Sequence, residues 1–145
     1  MKKLLPGLFV MALFTASCQK DSGALPDNNW SVAGKKFEAT TVRVDPSLAL
    51  VSAVGANNSL DITFKSLPTA SADFTVSDEP YTSREVAVKS ILSGSIVYNS
   101  VGGDGSYVAV RVTNGKYTVL MNEIVAVNVA NAKDTVRISA NIVEN

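Results

Sequence analysis

Thirteen carboxylates, a single thiol and no imidazole set the chemistry open to this chain. Histidine is the commonest general base and metal ligand near neutral pH, so its absence removes Ser-His-Asp and Cys-His nucleophilic catalysis and every His-ligated zinc site. Acid–base work between two carboxyl groups stays open. A glycosidase holds such a pair about 5–9.5 Å apart, and the candidates are Asp78 with Glu79 in "VSDEPYTS", or Asp61 with Asp73. Asp and Glu beside Pro80 also serve as ordinary turn residues, and nothing marks a Ser-Lys or Thr-Lys pair. The chain is therefore read as non-catalytic, with a carboxylate-dependent glycosidase as the distant alternative.

One stretch is glycine-rich, "SVGGDGSY" at 100–107. Gly102, Gly103 and Gly105 would let backbone approach a phosphate, but no Lys-Ser/Thr pair follows as a nucleotide loop requires. Asp104 alone supplies too few of the six to eight oxygens that calcium takes. The stretch reads as a hairpin tip and as a candidate contact loop, with no cofactor or metal implied. Trp30, Tyr81, Tyr98, Tyr107 and Tyr117 are the other recognition candidates. A sugar-binding face needs two or three such rings exposed together. Tyr117 is in phase with Val119 and Met121 and is expected in the core, and Trp30 is expected to close an edge.

The thiol, Cys18, follows a segment with its own logic. Lys2 and Lys3 precede an apolar run from Leu4 to Ala16, too short for the roughly 20 residues that span a bilayer. Positive start, short apolar run and small residues Ala16 and Ser17 form a secretory signal peptide, residues 1–17. Thr15, Ala16, Ser17 and Cys18 resemble the lipobox of bacterial lipoproteins, with Thr15 in place of the usual Leu. That resemblance implies cleavage before Cys18 and lipid on its sulfur. It also implies three acyl chains, which at about 0.8 kcal/mol per buried methylene make a firm anchor. "QKDSGALPDNN", 19–29, has no hydrophobic period and reads with Cys18 as a lipidated tether, 18–29. Gln19 in place of Asp favours outer-membrane delivery within that family. Surface or periplasmic exposure stays open, with Lys20 and Asp21 the charges just after the cysteine. Without Lys2 and Lys3, eleven basic residues face thirteen acidic ones. The basic residues form no block, so nucleic acid has no electrostatic footprint.

The elements that must position these residues have period two. Leu60, Ile62 and Phe64 alternate with Asp61 and Thr63, and Val136, Ile138, Ala140 and Ile142 alternate with Arg137, Ser139 and Asn141. Tyr117, Val119 and Met121 form a third such face, and Val125, Val127 and Val129 a fourth. This is the half-buried antiparallel pattern. Strands are expected near 30–33, 36–44, 48–54, 59–66, 72–77, 84–92, 95–100, 106–113, 116–121, 123–129 and 134–143. "GANN" at 55–58, "NGK" at 114–116 and "NAKD" at 131–134 supply turns. Within 36–44 the alternation slips between Thr40 and Thr41, as at a bulge.

Many short strands in residues 30–145 predict one all-β domain, an antiparallel β-sandwich with a small β-barrel as alternative. The opening "WSVAGKKFEAT" and the closing "VEN" resemble small β-rich lipoproteins of Bacteroidota. "DTV" at 134–136 resembles the O-glycosylation motif of that group, which would make Thr135 an acceptor. The expectation is a lipid-anchored envelope domain that binds a glycan or a protein, or serves as a structural or assembly subunit. A binding module would show exposed aromatics or a loop site. An assembly subunit would show an apolar patch or an unpaired edge strand.

Overall fold

Residues 25–145, described by the computed structural model, fold into eleven strands, and no helix occurs among them. Cys18, the signal peptide and residues 18–24 of the tether lie outside the described residues. The strands are β1 (Asn29–Val32), β2 (Lys35–Glu38), β3 (Thr41–Asp45), β4 (Leu50–Val54), β5 (Ser59–Phe64) and β6 (Ala72–Ser77). They continue as β7 (Glu85–Leu92), β8 (Ile96–Ser100), β9 (Tyr107–Thr113), β10 (Lys116–Asn128) and β11 (Asn131–Val143). The expected all-β, sandwich-like class holds, with three departures that each have a local cause.

The run expected at 36–44 is two strands. β2 pairs with β1, and β3 pairs with β4. The change of partner falls on consecutive residues: Ala39 N–H donates to Asn28 O at 2.8 Å, and Thr40 N–H to Val54 O at 2.8 Å. The slip in alternation thus marks a corner where the chain passes between sheet regions, as strands do when they switch sheets. Just before that corner Trp30 and Phe37, opposed across β1–β2, stack with ring centroids 5.5 Å apart.

Conversely, the runs expected at 116–121 and 123–129 are one strand, β10, continuous against β11 through a bulge between Met121 and Ile124. Met121 opposes Ala140 and Ile124 opposes Ile138, so β10 has one residue more than its partner there. Because side chains alternate with period two, one extra residue exchanges the faces. Ile124 and Ala126 are therefore buried, while Val125 and Val127 sit half-buried on the outer face and Val129 is exposed. The turn expected over 131–134 is displaced to Val129–Ala130, and the register shifts again at Val127/Asn128.

The sheet runs β2-β1-β11-β10-β9-β6-β7-β5-β4-β3, with β8 pairing both β7 and β10. Ten of the pairings are antiparallel, but β6 and β7 are parallel over Thr75–Ser77 and Glu85–Ala87. A full parallel overlap needs a long crossover. Here the strands are staggered, β7 starting beside the end of β6, so the short 78–84 loop suffices.

One face of every strand feeds a single core containing Trp30, Leu60, Ile62, Phe64, Phe74, Val88, Ile124, Ile138 and Ile142. Phe64 meets Phe74 edge to face at 5.2 Å. Trp30 Nε1 is the one buried side-chain polar atom without a hydrogen-bond partner among the described residues.

β7 exchanges its β6 partner for β8 between Ala87 and Lys89, which strands Val88 N–H at the switch. Ser100, 1 % exposed, fills the junction. Its Oγ accepts from Val88 N–H at 2.9 Å and donates to Ser77 O at 2.6 Å.

Within the span read as tether, residues 25–28 are bonded to the domain. Asn141 Nδ2 donates to Leu25 O and to Asp27 Oδ1, and Val143 N–H donates to Asn28 Oδ1.

Candidate binding surface

The two loops singled out in the sequence, 78–84 and 101–106, meet at the end of β6. Val76 N–H donates to Ser106 O at 3.1 Å. Gly102 lies so close to β6 that a Cβ there would sit 3.3 Å from both Ser77 Cα and Val76 O, which explains a residue without a side chain at that position. Gly103 and Gly105 take positive φ and curl the loop back toward β9. Asp104 is committed to this turn, accepting from Ser106 N–H at 2.9 Å and from Ser106 Oγ at 2.7 Å. Those two bonds hold its carboxyl below the usual range, with the charge of Arg137 a lesser contributor.

The facing loop is built around Glu85. Its Oε2 accepts from the backbone N–H groups of Tyr81 and Thr82, both at 2.9 Å, while Thr82 Oγ1 accepts from Arg84 N–H. Glu85 N–H returns a bond to Thr82 O at 3.3 Å. The T-S-R-E spacing thus supplies the carboxylate half of a capping box, Glu85 to Thr82 N–H, while the Thr82 hydroxyl serves Arg84 instead of Glu85, and the pair closes a loop in place of a helix. Tyr81 OH donates to Glu79 Oε2 at 3.2 Å. The negative charge of Glu79 is the main reason the Tyr81 phenol lies above its ordinary range, with that hydrogen bond and the charges of Asp78 and Glu85 adding to it.

Register then places Tyr107, Thr75 and Glu85 on one outer face, and the Glu85 carboxylate ties the backbone of Tyr81 to it. Tyr107 opposes Thr75 across β9–β6, and Thr75 opposes Glu85 across β6–β7. Two inter-strand steps of about 4.8 Å put the Tyr107 backbone roughly 10 Å from that of Glu85, whose carboxylate carries the Tyr81 amide. Tyr81 is 67 % exposed and Tyr107 62 %. Under the 78–80 segment is a shallow cleft of about 220 Å³ lined by Asp78, Glu79 and Pro80 on one side and by Thr63, Ala87 and Lys89 on the other.

The remaining candidates fall elsewhere. Trp30 is fully buried and Tyr98 nearly so. Tyr98 OH donates to Asp134 Oδ2 at 2.9 Å, and half-buried Tyr117 donates to Pro68 O at 3.0 Å. Asp61 accepts from Ser52 Oγ, whereas Asp73 pairs with Arg111. β7 lies between the strands of Asp61 and Asp73, and by register they differ by six residues, about 20 Å along the strand direction, beyond the reach of a glycosidase pair. Asp78 and Glu79 are side by side, with Asp78 Oδ1 accepting from Glu79 N–H at 3.0 Å. Thr135 is exposed on β11 opposite Val127. No group of three or more His, Cys, Asp or Glu residues is placed to hold a metal among the described residues.

A second concavity, about 240 Å³, lies at the β7–β8 and β10–β11 turns, lined by Ser95, Ile96, Val97, Asn128, Val129 and Ala130. Thr75 and Glu85 were not singled out from sequence. The T-x-x-E spacing of Thr82 and Glu85 was the available signal for the second, and only strand pairing could reveal the first.

No known protein family, curated protein or solved structure matches the chain.

Proposed function

We propose that this chain is a lipid-anchored, non-catalytic binding domain of the bacterial cell envelope, held at the outer membrane through Cys18. The surface around loops 78–84 and 101–106 is its ligand-binding face. The observation that carries the binding half is the convergence of both loops at the end of β6, with Tyr81 exposed on one and Tyr107 exposed just after the other. The anchoring half rests on the position of Cys18 and its lipobox resemblance. Binding sites gather on loops held by a rigid scaffold because loops are free to vary while strands fix their ends.

The test is fractionation of cells producing the chain or its Cys18→Ser variant, with acyl mass measured on the mature protein. Expected is a membrane-bound, acylated parent and an unacylated variant released to the soluble fraction. A variant that still fractionates with membranes at unchanged mass overturns the anchoring. Protease shaving of intact cells then places the domain outside or in the periplasm.

One observation favours a second reading, a subunit of an envelope assembly. Val129, 64 % exposed, and Ile96, 43 % exposed, line the apolar concavity at the hairpin tips. β3, at one end of the strand order, also has an edge that pairs with no other strand among the described residues. Envelope cross-linking from Ala130→Cys separates the readings, since an assembly subunit gives a discrete adduct there.

A further inference from the structure

We propose that Tyr81 and Tyr107, with the carboxylates of Glu79 and Glu85, form a carbohydrate-binding site whose ligand is a neutral polysaccharide. The proposal rests on the reading of this surface as the binding face and adds the chemistry of the ligand. A sugar ring presents an apolar C–H face and a rim of hydroxyls. Two exposed phenol rings, Tyr107 on the outer face of β9 and Tyr81 on the loop that Glu85 holds, supply stacking surface for the first, as amphipathic aromatics do at wet interfaces. The rim needs acceptors and donors together. A carboxylate offers about four lone-pair sites, and the loop takes two at Glu85 through Tyr81 and Thr82. Thr75 lies between the tyrosine of β9 and Glu85, and Lys89 adds a donor in the cleft. The Tyr81 O–H already donates to Glu79 Oε2, which leaves the phenol oxygen to accept from a sugar hydroxyl.

Charge selects among glycans. Asp78, Glu79 and Glu85 outnumber Arg84 and Lys89 in and beside the loop, which disfavours a polyanionic chain. Shape disfavours a protein. A stable protein interface takes about 800 Å² per partner with an apolar centre. The exposed aliphatics Leu48 and Val129, in turns, and Ile96, at the start of β8, lie elsewhere, leaving Leu120, which opposes Ala109 two residues from Tyr107.

The loop's own bonds pre-organise the site, which lowers the ordering cost of binding. Tyr81 is held at its backbone by Glu85 and at its hydroxyl by Glu79.

The experiment is native affinity electrophoresis of the mature chain in nonionic detergent, through gels holding mixed-linkage β-glucan, galactomannan, xylan, polygalacturonate or chitosan. Expected is retardation by at least one of the three neutral polysaccharides and none by polygalacturonate. Tyr81→Ala and Tyr107→Ala each weaken it tenfold or more, and Leu48→Ala leaves it unchanged. Far-UV circular dichroism verifies the fold of each variant. The proposal is overturned by no retardation in any neutral gel, or by retardation that survives both tyrosine substitutions. Retardation by chitosan alone that salt abolishes also overturns it, since that is attraction to an acidic patch. None of these outcomes touches the anchoring, which the Cys18→Ser fractionation decides separately.

Discussion

Ser100→Ala is the substitution that most directly tests how the sheet is held together. The hydroxyl sits where β7 passes from β6 to β8, is 1 % exposed, and serves Val88 N–H at 2.9 Å and Ser77 O at 2.6 Å. Removing it leaves a backbone donor and a backbone acceptor buried without that partner. An unsatisfied buried group costs about 1–3 kcal/mol. With partial relaxation of the second group, the expected loss is about 2–4 kcal/mol, and the methyl that remains leaves almost no cavity to add. At about 3–5 °C per kcal/mol for a domain of this size, Tm falls by roughly 10 °C. Urea unfolding followed by Trp30 fluorescence is the assay, on a Cys18→Ser background. Trp30 is the only tryptophan and is fully buried, so its emission reports the core. The urea slope m should not change, because the surface exposed on unfolding is the same. Ser90→Ala is the control: Ser90 is equally buried but makes one bond, to Ser59 O at 3.2 Å, so it should lose about 1 kcal/mol. A Ser100→Ala protein within about 0.5 kcal/mol of its parent, or no less stable than Ser90→Ala, would refute the junction argument.

Three further substitutions probe other parts of the molecule. Gly55→Ala puts a Cβ 2.7 Å from Glu38 O and 3.5 Å from the Trp30 ring, so the corner should lose about 1–3 kcal/mol; an unchanged Tm would contradict the packing there. The Asp134 carboxyl is held below its ordinary range by the Asn128 amide and then by the Tyr98 hydroxyl. A lowered carboxyl contributes stability that is full above pH 3.8 and lost as pH falls through its folded value. Tyr98→Phe should therefore raise the Asp134 titration midpoint, seen by carbon NMR, and make the acid-side loss of stability shallower. An unchanged midpoint counts against that bond. Glu85→Ala should accelerate amide exchange at Tyr81 and Thr82 while Val86 and Val88 stay protected, because two loop bonds are lost and the core is not touched. Equal exchange in parent and variant would deny Glu85 its role as the centre of the loop.

Local pattern made much of the fold legible. Leu60, Ile62 and Phe64, and Val136 through Ile142, are buried where period two places them. Asn114–Gly115 turns a two-residue hairpin with both residues at positive φ, as that dipeptide favours. The same pattern misplaced the face of Val125 and Val127. A bulge is decided by the pairing of two strands, and Ser139 Oγ accepting from Glu123 N–H helps hold it from the partner strand. The corner at Thr40 was visible as a slip, but not its meaning, because one strand carries no information about which neighbour its next residue will find.

The candidate surface divides in the same way. By itself the sequence determined the alternating strands, the absence of imidazole chemistry, the position of Cys18, and the two loops as separate polar punctuation. These depend on residue type and on neighbours one to four positions away, where sterics and hydrophobic periodicity act directly. Only the tertiary structure decided that Tyr81 and Tyr107 are exposed while Trp30 and Tyr98 are buried, that Asp61 and Asp73 stand far apart, and that Ser100 is a structural hydroxyl. Each of those follows from register between strands distant in sequence, set by which apolar faces close one common core.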